Sequence, residues 1–125
     1  MWSNSVEDFA DDVSHEIGEL ANDIATDFYV AVVNLAPVDT SNYVSNMNVS
    51  YGEIDRSYDP TLRKGRAGAM ASGLDKLSGG FDGELTDIHI TNSTPYGDYL
   101  EAGSSAQARN GVFTVAFLGV AMKYV

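Results

Sequence analysis

Between Val6 and Leu35 the chain repeats one pattern that narrows the choice of fold more than anything else in it. Val6, Phe9, Val13, Ile17, Leu20, Ile24, Phe28 and Leu35 recur at steps of three and four residues or their sum. At about 100° per residue they fall in a stripe about 100° wide, which predicts an amphipathic helix over residues 1–36. Asn4 or Ser5 can cap its start, Glu7 and Asp8 follow where the helix dipole favours anions, and Pro37 cannot extend it. At about 1.5 Å per residue such a helix measures about 45 Å, whereas a compact body of this chain length is only about 35 Å across. Either the helix kinks, with Gly18 the natural place, or it projects and its stripe needs a partner. A competing reading lets Phe28 to Val33, rich in β-branched residues, leave the helix as a strand.

The same stretch is electrically one-sided. Residues 1–55 hold eleven acids and no Lys or Arg, residues 56–76 hold five bases against Asp59 and Asp75, and residues 77–125 hold five acids and two bases. The three segments carry −11, +3 and −3, and the whole chain −11. On the helix, Glu7/Asp11, Asp8/Asp12, Asp12/Glu16, Glu19/Asp23 and Asp23/Asp27 are like-charge pairs four residues apart. Each costs about 0.2 to 0.5 kcal/mol, and nothing on the helix offsets them. An acidic and a basic segment in one chain invite pairing, within the subunit or between copies. The expected contact sets Asp8, Asp12, Glu16, Glu19 and Asp23 against Arg56, Arg63, Lys64 and Arg66 of an adjacent copy. A purely solvated acidic face is the plainer alternative.

At 125 residues the chain is long enough for one domain with a single core, and its 44% apolar and 20% charged residues are ordinary globular usage. The fold class expected is α+β: the long helix packed beside a small antiparallel sheet, with short helices near 95–102 and at the C-terminus. Alternation predicts strands over 42–51 and 84–92. Residues 52–83 read as a long loop with a possible short helix at Ala67 to Leu77, since Asp59-Pro60 and Gly79-Gly80 are turn signals. Thr94 and Pro95 suit the start of a short helix with Tyr96, Tyr99 and Leu100 on one face and Gly103 at its end. Residues 112–125 read as a buried strand followed by a terminal helix. No internal repeat is visible, and the first thirty residues carry neither a basic run nor an unbroken apolar one, so a cytoplasmic, non-membrane protein is expected.

Catalytic and metal chemistry find little support. There is no Cys, which removes thiol nucleophiles and thiolate metal sites. His15-Glu16-Ile17-Gly18-Glu19 places Glu where a helical zinc motif needs its second His, and the other histidine, His89, lies in a predicted strand. No Ser occupies a Gly-x-Ser-x-Gly elbow. Glu53 and Asp55, or Asp82 and Glu84, lack calcium-loop spacing and read as solvated turn acids. Gly65-Arg66-Ala67-Gly68 lacks the Lys-Ser/Thr ending of a phosphate loop and reads as flexible backbone. The expectation is a protein that is not an enzyme and has no cofactor.

Three segments carry a resemblance. Ala36-Pro37-Val38-Asp39-Thr40 follows the long helix, with Ser41 next; Asn92-Ser93-Thr94-Pro95-Tyr96-Gly97-Asp98-Tyr99-Leu100-Glu101-Ala102-Gly103-Ser104 follows the second strand; Gln107-Ala108-Arg109-Asn110-Gly111-Val112 precedes the terminal segment. In this order they resemble the tail-completion or head-tail joining (neck) proteins of tailed bacteriophages, the group similar to the minor tail protein Z of lambda-type phages. That family's patterns are Pro-Val-Asp-Thr-Gly, Asn-x-x-Pro-Tyr-Ala-x-Tyr-Leu-Glu-x-Gly-Thr and Gln-Ala-Pro-x-Gly-Met. This chain departs from them with Ser41 for Gly, Arg109 for Pro and Val112 for Met. The matching Pro37, Asp39, Thr40, Pro95, Tyr96, Tyr99, Glu101 and Gly103 carry no chemistry and read as structural.

The resemblance implies a structural virion protein that forms a homo-oligomeric ring, six-fold ahead of twelve-fold, at the head-tail junction after assembly in the host cytoplasm. Its neighbours would be neck or connector proteins and tail-terminator or tail-tube proteins, and genomic DNA would pass through without specific binding. Lopsided charge suits a ring, because a heterologous contact joins two different faces of one subunit, and an acidic lumen would not hold DNA. The alternative from another class is an acidic DNA mimic that occupies the basic groove of a host DNA-binding protein.

Overall fold

The computed structural model describes residues 2–37, 41–80, 87–95 and 112–124, with side chains from His15 onward except at 80 and 114. The protein is α+β, a long N-terminal helix beside a small antiparallel sheet with further helices packed on both. Helix α1 runs Trp2–Leu35, 34 residues without interruption, so the chain neither kinks out of helix at Gly18 nor becomes a strand at Phe28 to Val33. It starts before the expected Asn4 or Ser5 cap, since nothing between Trp2 and Ser5 opposes helical backbone. At about 1.5 Å per residue it is about 51 Å long. Among its described side chains Tyr29, Val32 and Val33 are buried, as is Ala36 just beyond its end, whereas Ile17 and Leu20 are exposed.

Residues 42–51 form two elements where alternation predicted one strand. Asn42–Ser45 is a single helical turn, α2, and only Asn48–Tyr51 is strand, β1. The reason lies in three polar side chains of this stretch. Asn42, Ser45 and Asn46 are buried and hold the segment that follows the sheet. Asn42 Nδ2 donates to the carbonyls of Asp59 (3.0 Å) and Leu62 (3.2 Å), and its Oδ1 accepts from Tyr58. Asn46 Nδ2 donates to Asp59 O while its Oδ1 accepts from Asp59 N–H. Ser45 Oγ accepts from Lys64 N–H at 2.7 Å. A buried amide left unpaired costs about 1–3 kcal/mol, so these bonds fix the long connection against α2.

β1 pairs antiparallel with β2, Ile88–Thr91, in the register Asn48↔Thr91, Val49↔Ile90, Ser50↔His89 and Tyr51↔Ile88. Val49, Tyr51, Ile88 and Ile90 share the face turned to the core. The opposite face is closed by residues 55–57, with Thr91 Oγ1 and Asn48 Nδ2 both donating to Asp55 O. The strand expected over 84–92 is thus present at 88–91, and residues 84–86 lie outside the described ones. Of the expected loop 52–83, sixteen residues, Gly65–Gly80, are helix α3, longer than the Ala67 to Leu77 piece expected. Gly65-Arg66-Ala67-Gly68 is its first turn, not flexible backbone.

Helix α3 lies against α1 through one close approach. Tyr29 enters over Gly73, where a β-carbon would overlap its ring, and its hydroxyl donates to Ala69 O at 2.6 Å. Leu77 completes this contact, and Asn22 Nδ2 donates to Leu77 O while Tyr51 OH donates to Asn22 Oδ1, tying α1, α3 and β1 together. Burial raises the Tyr29 phenol to about 12. The last described element, α4, is helical over Phe113–Tyr124, and Val112, expected to begin a strand, is a buried residue at its start. A short apolar run does not distinguish strand from helix by periodicity, and here the long α1 offers a helix-sized seat. Phe113 meets Phe28 with ring centroids 5.9 Å apart. The short helix expected near 95–102 lies outside the described residues except for Pro95, which is an exposed turn residue.

Candidate assembly surface

Helix α4 has the sequence FTVAFLGVAMKY, in which Lys123 is the single charged residue. One side of it, with Val112, Phe113 and Ala116, packs on α1. The rest is apolar too, and a helix that is apolar all round is normally covered all round. It is not covered by the described residues: Phe117 is 62% exposed, Leu118 57% and Met122 81%. Beside it, α1, β2 and α4 enclose an open cleft of about 860 Å³ whose floor includes Ile24, Phe28, Ile90 and Val120. Exposed Ile17 and Leu20 continue the α1 stripe beyond the cleft. Contiguous apolar surface of this kind marks an interaction site.

One polar cluster closes the cleft's end. Lys123 Nζ lies 2.8 Å from Asp27 Oδ2, and Tyr124 OH donates to the same oxygen. The Lys123 hydrogen bond, seconded by that of Tyr124, holds the Asp27 carboxyl below the usual carboxylate range. The same contact raises Lys123 and Tyr124. This clamp pins the C-terminal turn of α4 across α1. Sequence reading missed the cleft, although the missing polar face of residues 113–122 was its visible signal.

The charged residues expected at a subunit contact divide between the middle and the C-terminal end of α1. Glu16, Glu19 and Asp23 are exposed on its middle turns, Glu19 accepting from His15 at 2.8 Å. Asp8 and Asp12 lie on the same helix, their side chains outside the described ones. Arg56, Arg63, Lys64 and Arg66 are exposed. Arg66, expected at the contact between copies, is bonded inside the subunit: Nε donates to Val33 O at 3.2 Å and an Nη to Ala36 O at 2.9 Å. It caps the C-terminus of α1, where carbonyls lack helical partners and the dipole favours a cation. Arg63 donates to Pro60 O and Leu62 O, and Lys64 Nζ reaches Ser72 Oγ at 3.3 Å. The basic run 63–66 therefore sits at the C-terminal end of α1, about 21–30 Å along the axis from Glu16 and Glu19.

Pro37 is buried directly after α1, and Asp39, Thr40, Tyr96, Tyr99, Glu101 and Gly103 lie outside the described residues. Ser41 takes φ 64°, ψ −12°, a left-handed conformation. Its Oγ accepts from Gly65 N–H at 2.6 Å and lies 3.3 Å from Ser45 Oγ. His15 and His89 are on separate elements, and His89 Nε2 is paired with Gly52 O at 3.1 Å. Among the described residues no group of three or more His, Asp or Glu is placed to hold a metal ion, and no helix is long and apolar enough to cross a membrane. The chain matches no protein-family model, no curated protein and no solved structure.

Proposed function

We propose that this chain is a noncatalytic structural protein of a tailed-bacteriophage virion, forming a ring at the head-tail interface that joins tail to head and lets DNA pass. The observation that carries the reading is the backbone at Ser41. The turn motif that the chain resembles has Gly at this position, and the left-handed conformation found here is one that Gly adopts without strain. It follows the long helix and Pro37 and precedes the first strand, the order of elements that goes with the motif. Ser41 tolerates the conformation because its hydroxyl is used, accepting from Gly65 N–H. The uncovered apolar surface of α1 and α4 supports the same reading, since a ring subunit hides such surface against its neighbours.

Electron microscopy of a phage carrying an early stop codon in this gene, with complementation as control, tests it. DNA-filled heads beside unattached tails are the expected outcome. Normal infectious particles would overturn it. A second reading, the acidic DNA mimic, is favoured by the exposed Glu16, Glu19 and Asp23 on a helix without Lys or Arg. It requires normal particles from the stop-codon phage and competition between the purified chain and DNA for a host DNA-binding protein.

A further inference from the structure

We infer that the uncovered α1 face around Ile17 and Leu20 is the seat for the Arg63-Lys64 segment of a second copy of this chain, docked head to tail. This rests on the ring reading and names its contact. The face has an apolar centre, Ile17 and Leu20, each about half exposed, and a rim of Glu16, Glu19 and Asp23. An interface of this anatomy takes a partner with apolar reach and positive charge. Lys and Arg supply both, because their aliphatic stems cover apolar surface while their heads meet carboxylates at the edge.

The subunit cannot make this contact with itself. Its own Arg63 and Lys64 are held at the far end of α1, where Lys64 N–H bonds Ser45 Oγ and the neighbouring Arg66 bonds Val33 O and Ala36 O. Along the helix, Glu16 and Glu19 lie about 21–30 Å from those carbonyls, more than twice the Debye length of about 8 Å at physiological ionic strength. Among the described residues the ion pairs are His15–Glu19 and Lys123–Asp27, so neither basic residue of the segment forms an ion pair with a described carboxylate. Two α1 faces cannot serve each other either, since both carry acids alone. Acids at the middle of α1 and bases at its C-terminal end fit a heterologous contact, which repeats around a ring and leaves no end unmatched when it closes.

Sedimentation velocity of the full chain between about 50 and about 500 mM salt tests the contact, with far-UV circular dichroism as the folding control. Self-association at low salt, weakening as salt rises, is expected. Glu16→Lys with Glu19→Lys, and separately Arg63→Glu with Lys64→Glu, are each expected to raise the dissociation constant at least about tenfold. Combining all four reversals restores association, because the charges match again. A monomeric wild type at every salt, association indifferent to either reversal, or a combined variant no better than its parents would overturn the contact. Unattached tails from the stop-codon phage beside any of those results would leave the ring reading standing without this interface. Normal particles beside charge-swap rescue would remove the reading and keep the contact.

Discussion

Replacing Gly73 with Ala sets a methyl group on the buried ring of Tyr29. The added β-carbon would lie closer than 3.0 Å to Tyr29 Cζ, Cε2 and Oη together, against about 3.5–4.0 Å for carbons in optimal contact. Tyr29 has nowhere to go: it is 1% exposed, and its hydroxyl is committed to Ala69 O at 2.6 Å. Overpacking of a core typically costs about 1–3 kcal/mol, and separating the hydroxyl from its acceptor adds about 1 kcal/mol or more. Ala is better than Gly in a helix by about 1 kcal/mol, which opposes the loss without cancelling it. The net expectation is destabilisation by about 1–3 kcal/mol, or about 4–12 °C in Tm for a chain of this size. Gly119→Ala is the internal control, because a β-carbon there meets nothing within 4 Å; it should raise stability by up to about 1 kcal/mol. Urea unfolding followed by circular dichroism measures both. A Gly73→Ala protein as stable as the wild type, or stabilised like Gly119→Ala, would refute the α1–α3 packing described. In a Tyr29→Ala background the same change should turn neutral or favourable.

Three further outcomes follow from the side-chain environments. Burial lifts Tyr29 from 10.0 to about 12, so its contribution is fully present below pH 10 and is lost as pH rises toward 12; Tyr29→Phe should flatten that alkaline loss in pH-dependent unfolding. Asp27 is shifted the other way, so the clamp on α4 is intact above the ordinary carboxylate value of 3.8 and fails as pH falls through the depressed one. Asp27→Asn should remove this acid dependence, read by near-ultraviolet circular dichroism. At Ser41, Ala keeps the left-handed backbone but loses the acceptor for Gly65 N–H, and should cost about 1–2 kcal/mol. Ser41→Gly loses the same bond and relieves about 1 kcal/mol of backbone strain, so its urea midpoint should lie nearer the wild type than that of Ser41→Ala.

What the sequence displayed were features with a local cause. The period of the α1 stripe, the stop at Pro37, and the inward alternation of Val49, Tyr51, Ile88 and Ile90 are each set by residues a few positions apart. What it concealed depends on partners far along the chain. Asn42 and Asn46 resemble the outer face of a strand until Asp59 and Leu62, thirteen to twenty residues away, are brought beneath them. The glycines of residues 65–80 suggested a loop because their helical use is visible only when Tyr29 is placed over Gly73. At the surface, charge segregation was legible as arithmetic, but the arithmetic could not show that Arg66 spends its charge on the end of α1. The α4 cleft was hidden for a related reason: an apolar run says that it wants cover and not which side receives it.

The length of α1 makes it a lever. Asn22 bonds it to Leu77 O and Tyr51, and from there to Trp2 the helix extends twenty residues, about 30 Å. A tilt of about 10° at that pivot sweeps the far tip through about 5 Å, close to one helical pitch. Rotations too small to disturb the core therefore become displacements of side-chain size at the tip.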